Sequence, residues 1–294
     1  METVLQITAN GLMLGGLYAM ISVGLTLIFG ITRVINFAHG EFLMVGMYIV
    51  YLITTQLGVH PYASLLLAVP ALFVMGALTQ KLVIERLRNS DEHVQIFATV
   101  GLSTALMNLA LLIFGADIAN TPAHGVRSQV MLGEVRILTG QLWVFVAAIV
   151  LVIGLQLFMK KTRTGRAIRA TAQNRAAARL MGINDKFIYI LTFGLGAACV
   201  GLGSSLIAPL YPTSPTIGTY FVLIAFVCVV LGGLGSIPGA FFGALVIGLV
   251  DALSGFYIGS DLREAVVFTI FLLILILKPS GLFGTRMNLS HVSP

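Results

Sequence analysis

Nine apolar runs, most of them about as long as a bilayer is thick, limit what this chain can become. They cover residues 5–29, 37–57, 62–84, 94–115, 140–159, 187–208, 219–235, 238–258 and 262–278. A helix needs about 20 apolar residues to cross the hydrocarbon core. Hydrophobic residues make up 58% of the chain and charged residues 10%, against about 25% charged in a soluble domain. A water-soluble sphere of 294 residues has too little polar side chain to cover a mean hydropathy of +1.00. Lipid is therefore the solvent for much of the surface. The expected architecture is all-α: a polytopic transmembrane bundle of about eight or nine spans, forming a single domain over residues 1–294. The last run holds only 13 uncharged residues, 265–277, unless Arg263 and Lys278 snorkel outward. Around residues 232–239 too little polar sequence separates two runs for an ordinary loop, so a broken or re-entrant helix is expected there.

Basic residues orient the bundle. Eight of the 17 Lys and Arg fall between Lys160 and Lys186, against one acid, Asp185. That loop is expected in the cytoplasm. Counting outward places Lys81, Arg86, Arg88, Arg33 and the tail with Lys278 and Arg286 on the same side. Residues 116–139 are then outside, with Arg127 and Arg136 balanced by Asp117 and Glu134. The N-terminus falls outside and the C-terminus inside.

Several chemistries find no support. The net charge of +6 reflects cytoplasmic loops rather than nucleic-acid binding. Cys199 and Cys228 lie in apolar stretches and read as small core residues. The start, Met1-Glu2, carries no basic region typical of a cleaved signal peptide, so the first run is expected to remain as an anchor. No Gly-Lys dipeptide occurs, so the chain has no recognisable phosphate loop. No cofactor is expected in this chain. His39 and Glu41 have no third ligand nearby in sequence, which argues against a metal.

Three polar or small-residue motifs interrupt the apolar pattern. In Gly30-Ile-Thr-Arg33-Val-Ile-Asn36-Phe-Ala-His39-Gly40-Glu41-Phe42, ionisable groups sit between two hydrophobic runs. They are either a solvated turn or, at membrane depth, part of a water-filled path. An unwound stretch of this kind also fits the broken helices of transporters. Gly235, Gly239 and Gly243 share one helix face, and Ala240, Ala244 and Gly248 a neighbouring one. Gly11, Gly15 and Ala19 form a similar ridge. Close helix packing explains all three. The third motif, residues 160–183, has a Thr-Gly start, Ala- and Arg-rich turns and a Gly182 stop. Ile168, Ala172, Ala176 and Leu180 recur at four-residue spacing as a thin apolar stripe. A helix of this type rests on the membrane surface or enters a groove on a partner.

With these motifs together, the chain closely resembles the membrane permease of branched-chain amino-acid ABC importers, the H type of the bacterial leucine/isoleucine/valine system. The resemblance rests on Gly24-Leu-Thr-Leu-Ile-Phe-Gly30, Asn36-Phe-Ala-His-Gly-Glu-Phe42, Thr164-Gly-Arg-Ala-Ile-Arg-Ala170 with residues 174–182, and Leu231-Gly-Gly-Leu-Gly-Ser-Ile-Pro-Gly-Ala240. It implies that residues 160–186 hold a coupling helix docking on a cytoplasmic ATPase. Its candidate residues are Thr164, Gly165, Arg166, Ile168, Arg169, Ala170, Asn174, Ala177, Arg179, Leu180 and Gly182. Further implied partners are a homologous second permease, two ABC ATPases that bind ATP and Mg, and a periplasmic binding protein delivering leucine, isoleucine or valine. The setting is the bacterial inner membrane. Ribose-type permeases of the wider family are similar, with an inverted repeat. That likeness implies that the breaks at 36–42 and 232–239 are equivalent. It marks Asn36, His39, Glu41, Gly232, Gly233 and Ser236 as candidate pathway residues.

Other readings remain open at this level. Related permeases carry other amino acids, amides or urea. A stand-alone secondary carrier would use Glu41, His39 or Asp251 as its coupling site, although Asp251 equally suits a paired or snorkelling residue near the outer end of its helix. An intramembrane enzyme has little support, because the His and acidic residues are scattered.

Overall fold

The computed structural model describes residues 2–88, 90–133, 135–278 and 281–283. Among these, eleven α-helices and one hairpin follow in order: α1 (Glu2–Thr32), α2 (His39–Leu57), α3 (Leu65–Thr79), α4 (Glu92–Phe114), β1 (Gln129–Leu132), β2 (Val135–Leu138), α5 (Thr139–Lys161), α6 (Arg163–Gln173), α7 (Arg175–Leu180), α8 (Asp185–Ile207), α9 (Ile217–Gly232), α10 (Ile237–Tyr257) and α11 (Arg263–Leu277). Each of the nine apolar runs forms a helix. Seven of these are long and apolar enough to cross a membrane. α9, with 16 residues, and α11, with 15, are shorter. α3 is extended on both sides by tighter and wider helical turns, so that its apolar run spans Pro61–Leu87.

α1 is the axis of the bundle, and most of its apolar length is buried. α10 runs antiparallel along it through the small-residue ridges: Gly11 faces Leu249, Gly15 faces Leu245 and Gly30 faces Gly235. A Cβ on Gly15 would stand 2.7 Å from the Leu245 backbone, and one on Gly248 would meet the backbone of Gly11 and Gly15. Small residues thus let two backbones approach where lipid supplies no hydrophobic drive between helices. α3 and α8 repeat this arrangement. Gly201 faces Ala68 and Val69, while Gly76 faces Phe193 and Ala197.

Two chain breaks return to the middle of the bundle. After α1 ends at Thr32, Arg33 adopts φ 57°, a left-handed turn. Residues 33–38 then lead inward to α2, where His39 bonds the carbonyl of Ile21. Ile21 lies roughly 16 Å back along α1 at 1.5 Å per residue. After α8, residues 208–216 also fold inward, with Ala208, Thr213 and Pro215 buried, and deliver α9. The first turns of α2 and α9 meet, Gly40 against Gly218. From there α2 runs toward Ser204 near the end of α8, and α9 runs toward Gly239 at the start of α10. Helices α1–α3 and α8–α10 therefore trace one path in opposite senses, which is an inverted repeat. The equivalence expected between 36–42 and 232–239 is corrected. The partner of the first break is 208–216. Its prolines resemble those of a surface connection, and Pro212 is exposed, yet Pro209 and Pro215 are buried; a proline tolerates an inward path because its missing N–H needs no partner.

The break at 232–239 is instead a tight α9–α10 hairpin beside Gly30 at the end of α1. Gly233 at φ 100° and Gly235 at φ 85° turn the chain. The Ser236 hydroxyl then accepts the Gly239 N–H at 3.2 Å, and Pro238 sits in the first turn.

All described basic clusters share one end of the bundle. Arg88 at the foot of α3 pairs with Asp185 at the start of α8, and Lys186 pairs with Glu85. Lys278 joins Leu282, whose N–H donates to Leu231 at the end of α9. At the other end, β1 and β2 form a hairpin within the stretch read as a loop. Gln6 of α1 holds Arg136 by two bonds of 2.8 Å, and Arg127 donates to Pro209. Glu134 and Arg286 lie outside the described residues, as does the C-terminus.

Candidate functional site

The basic segment is built at one end of the bundle from its caps upward. Thr162 ends α5, and its hydroxyl accepts the Gly165 N–H at 2.9 Å, starting α6. Gly165 is needed there. A Cβ would stand 2.5 Å from the Met159 backbone, because α6 folds across the foot of α5. Ile168 is buried against Ile31 of α1 and Ile188 of α8. The segment is not one helix, however. Asn174 leaves the helix and its side chain accepts the Ala177 N–H at 2.9 Å, beginning α7. An Asn competing for local backbone groups ends one helix and caps the next. The stripe Ile168, Ala172, Ala176 and Leu180 is therefore split. Ile168 faces the bundle, whereas Leu180 is 89% exposed and Met181 82%. Gly182 closes α7 at φ 79°, as its sequence position suggested.

Thr164 and Ala170 are half-buried in α6, while Arg166, Arg169 and Ala177 are exposed. Arg179 is exposed too, but paired. It donates to Asp185 at 2.8 Å and Arg175 to the same oxygen at 2.7 Å, joined there by Arg88 from α3. The hydrogen bond to Asp185 holds the Arg179 guanidinium above its ordinary pKa. Tyr189 lies under both Arg88 and Arg175, 4.9 and 5.7 Å from its ring centre. Asp185 thus ties α7, α3 and α8 together. The sequence reading missed this clamp, although a single acid among eight basic residues was its signal.

The polar residues of the first break gather around the first turn of α2. The Asn36 side-chain Oδ1 accepts the Ala38 N–H at 3.1 Å. Glu41 lies between α2, α4 and α9, where the hydroxyls of Ser103 and Thr219 donate to Oε1 at 3.3 and 3.4 Å. Asn36, His39 and Glu41 are fully buried, yet Asn36 Nδ2, His39 Nδ1 and Glu41 Oε2 have no partner among the described residues. Two helix N-termini, each a partial positive charge, converge on this carboxylate. Gly232, Gly233 and Ser236 do not join this cluster; they form the α9–α10 turn. No group of three His, Cys, Asp or Glu residues gathers anywhere among the described residues.

A model of the permease component of branched-chain amino acid transport systems matches residues 7–277. The chain belongs to this family. A high-affinity branched-chain amino acid transport permease of Pseudomonas aeruginosa, BraD, is 33% identical over 95% of both chains. LivH of Escherichia coli, of the same description, is also 33% identical over 95% of both. The ribose import permease of Escherichia coli, RbsC, is 39% identical over 31% of this chain and 30% of its own. No solved structure matches. This permease component is thus a multi-pass membrane protein and not itself an enzyme. Membership implies an ATPase and a binding protein as partners.

Proposed function

We propose that this permease translocates leucine, isoleucine or valine across the bacterial inner membrane, coupled through α6 and α7 to separate ATPases. The observation that carries the coupling role is the α6–α7 segment itself. It is pinned to α1 and α8 by Ile168 and to α3 by Asp185, and it presents Leu180 and Met181 to solvent. Two bare apolar side chains on a rigid, basic mount suit an apolar groove on a partner. On this reading the end bearing the segment faces the cytoplasm, and the end bearing the hairpin and the start of α1 faces the periplasm. The permease pairs with a homologous second subunit, and a binding protein delivers the solute. Nucleotide binding closes the ATPase pair and displaces α7. The clamp passes that motion to α3 and α8, and thence to the meeting point of α2 and α9, where Asn36, His39 and Glu41 line the path.

The test is uptake in proteoliposomes. The chain with its ATPases, second permease and binding protein should accumulate radiolabelled leucine only with ATP. Uptake by the chain alone, driven by a proton or sodium gradient, would show a secondary carrier instead.

A further inference from the structure

A cavity of about 670 Å³ opens at the hairpin end, between α1, β1, β2, α5, α10 and α11. That volume is within the range of small-molecule sites, about 300–1,000 Å³. Its walls include Ile7 and Leu14 of α1, Leu138 of β2, Tyr211 and Phe256. Asp251 and two bases, Arg263 and Arg136, also line it, and of the two bases Arg263 pairs with the acid. Asp251 Oδ1 meets Arg263 Nε at 2.6 Å. The Tyr18 hydroxyl donates to Asp251 Oδ2 at 2.6 Å, Arg263 donates to the Tyr220 hydroxyl at 3.1 Å, and the two tyrosines meet at 3.2 Å. The four side chains close a ring that ties α1, α9, α10 and α11. The Asp251 side chain is only 2% exposed, whereas that of Arg263 is 36% exposed. The guanidinium is therefore the lid over the carboxylate.

We infer that this cavity receives a zwitterionic amino acid with an apolar side chain. The solute's carboxylate takes the Arg263 guanidinium, its ammonium takes the Asp251 oxygen so released, and its side chain rests on the apolar wall. This rests on the reading above and deepens it. Exchange of partners leaves neither charge unpaired, which keeps the cost of uncovering the buried Asp251 carboxylate low. A solute carrying only one of the two charges would strand the other residue's charge. The position has a further consequence. Tyr220 belongs to the ring and its neighbour Thr219 touches Glu41. Filling the cavity therefore acts on the first turn of α9, directly above the central cluster.

The test is cysteine protection in the complete complex. Ala252 lines the cavity, and the native Cys199 and Cys228 are buried. In an Ala252→Cys complex, L-leucine should slow labelling by a water-soluble maleimide about tenfold at ten times its half-protecting concentration. Isocaproate, which lacks the ammonium, and isopentylamine, which lacks the carboxylate, should not protect at the same concentration. The double variant Asp251→Asn/Arg263→Gln removes both charges without orphaning either. It should co-purify with its partners but lose protection. Absence of leucine protection in a complex that still accumulates leucine overturns the cavity site and leaves the proposed function standing. Equal protection by isocaproate or isopentylamine also overturns it. A complex with active ATPases that accumulates no branched-chain amino acid overturns both.

Discussion

Glu41 is the residue whose burial packing alone explains least. A carboxylate with one oxygen unpartnered inside a membrane bundle is costly unless something completes it. The meeting of two helix starts offsets part of that cost. Glu41→Gln should leave the amount of assembled complex unchanged while lowering leucine uptake about tenfold, the scale of one lost charge-assisted hydrogen bond. Uptake equal to wild type would make Glu41 structural. Asn36→Leu separates roles in the same way: its side-chain oxygen accepts the Ala38 N–H just ahead of α2, but its side-chain nitrogen has no partner among the described residues. Uptake should fall more than the yield of complex, measured by quantitative co-purification. None of this pairing was legible in the sequence. The cluster 33–42 stood out as polar residues between apolar runs, but Ser103 and Thr219 are ordinary hydroxyl residues 62 and 178 positions away.

Among the elements, α6 and α7 show what local chemistry can and cannot announce. Thr162, Gly165 and Gly182 carry capping and turn preferences that need no tertiary information, so the start and stop of the segment were readable. Its division at Asn174 was not, because four-residue spacing continues through it. Asp185 was counted only as a charge. Asp185→Asn should reduce the stimulation of ATPase activity by loaded binding protein at least about fivefold, the lower edge of usual coupling energies, with insertion intact. Unchanged stimulation would remove the clamp from the mechanism. Gly165→Val forces α6 off the foot of α5 and should cost about 1–3 kcal/mol of local packing. The expected sign is faster tryptic cleavage at the arginines of α6 and α7 in the purified complex.

For the whole molecule, hydropathy alone located every described span, because lipid demands about the same apolar length of each. Path and depth were hidden. Residues 208–216 look like a surface loop and instead plunge inward, and the two ridges of glycines signal close packing without naming α1 and α10 as partners. The proposed orientation has a direct check. Leu180→Cys should react with an impermeant maleimide only when the cytoplasmic face is open, and Ser260→Cys should react in intact spheroplasts. The reverse pattern would invert the bundle.

The mount of α7 joins helices from both halves of the inverted repeat: α1 and α3 from the first, α8 from the second. On the proposed coupling reading, a load applied at Leu180 would be shared at once by two antiparallel levers. On that reading α2 and α9, which meet at Gly40 and Gly218, would move together. Such gearing would favour a single stroke per closure over a succession of independent openings, and so would guard the barrier against leak.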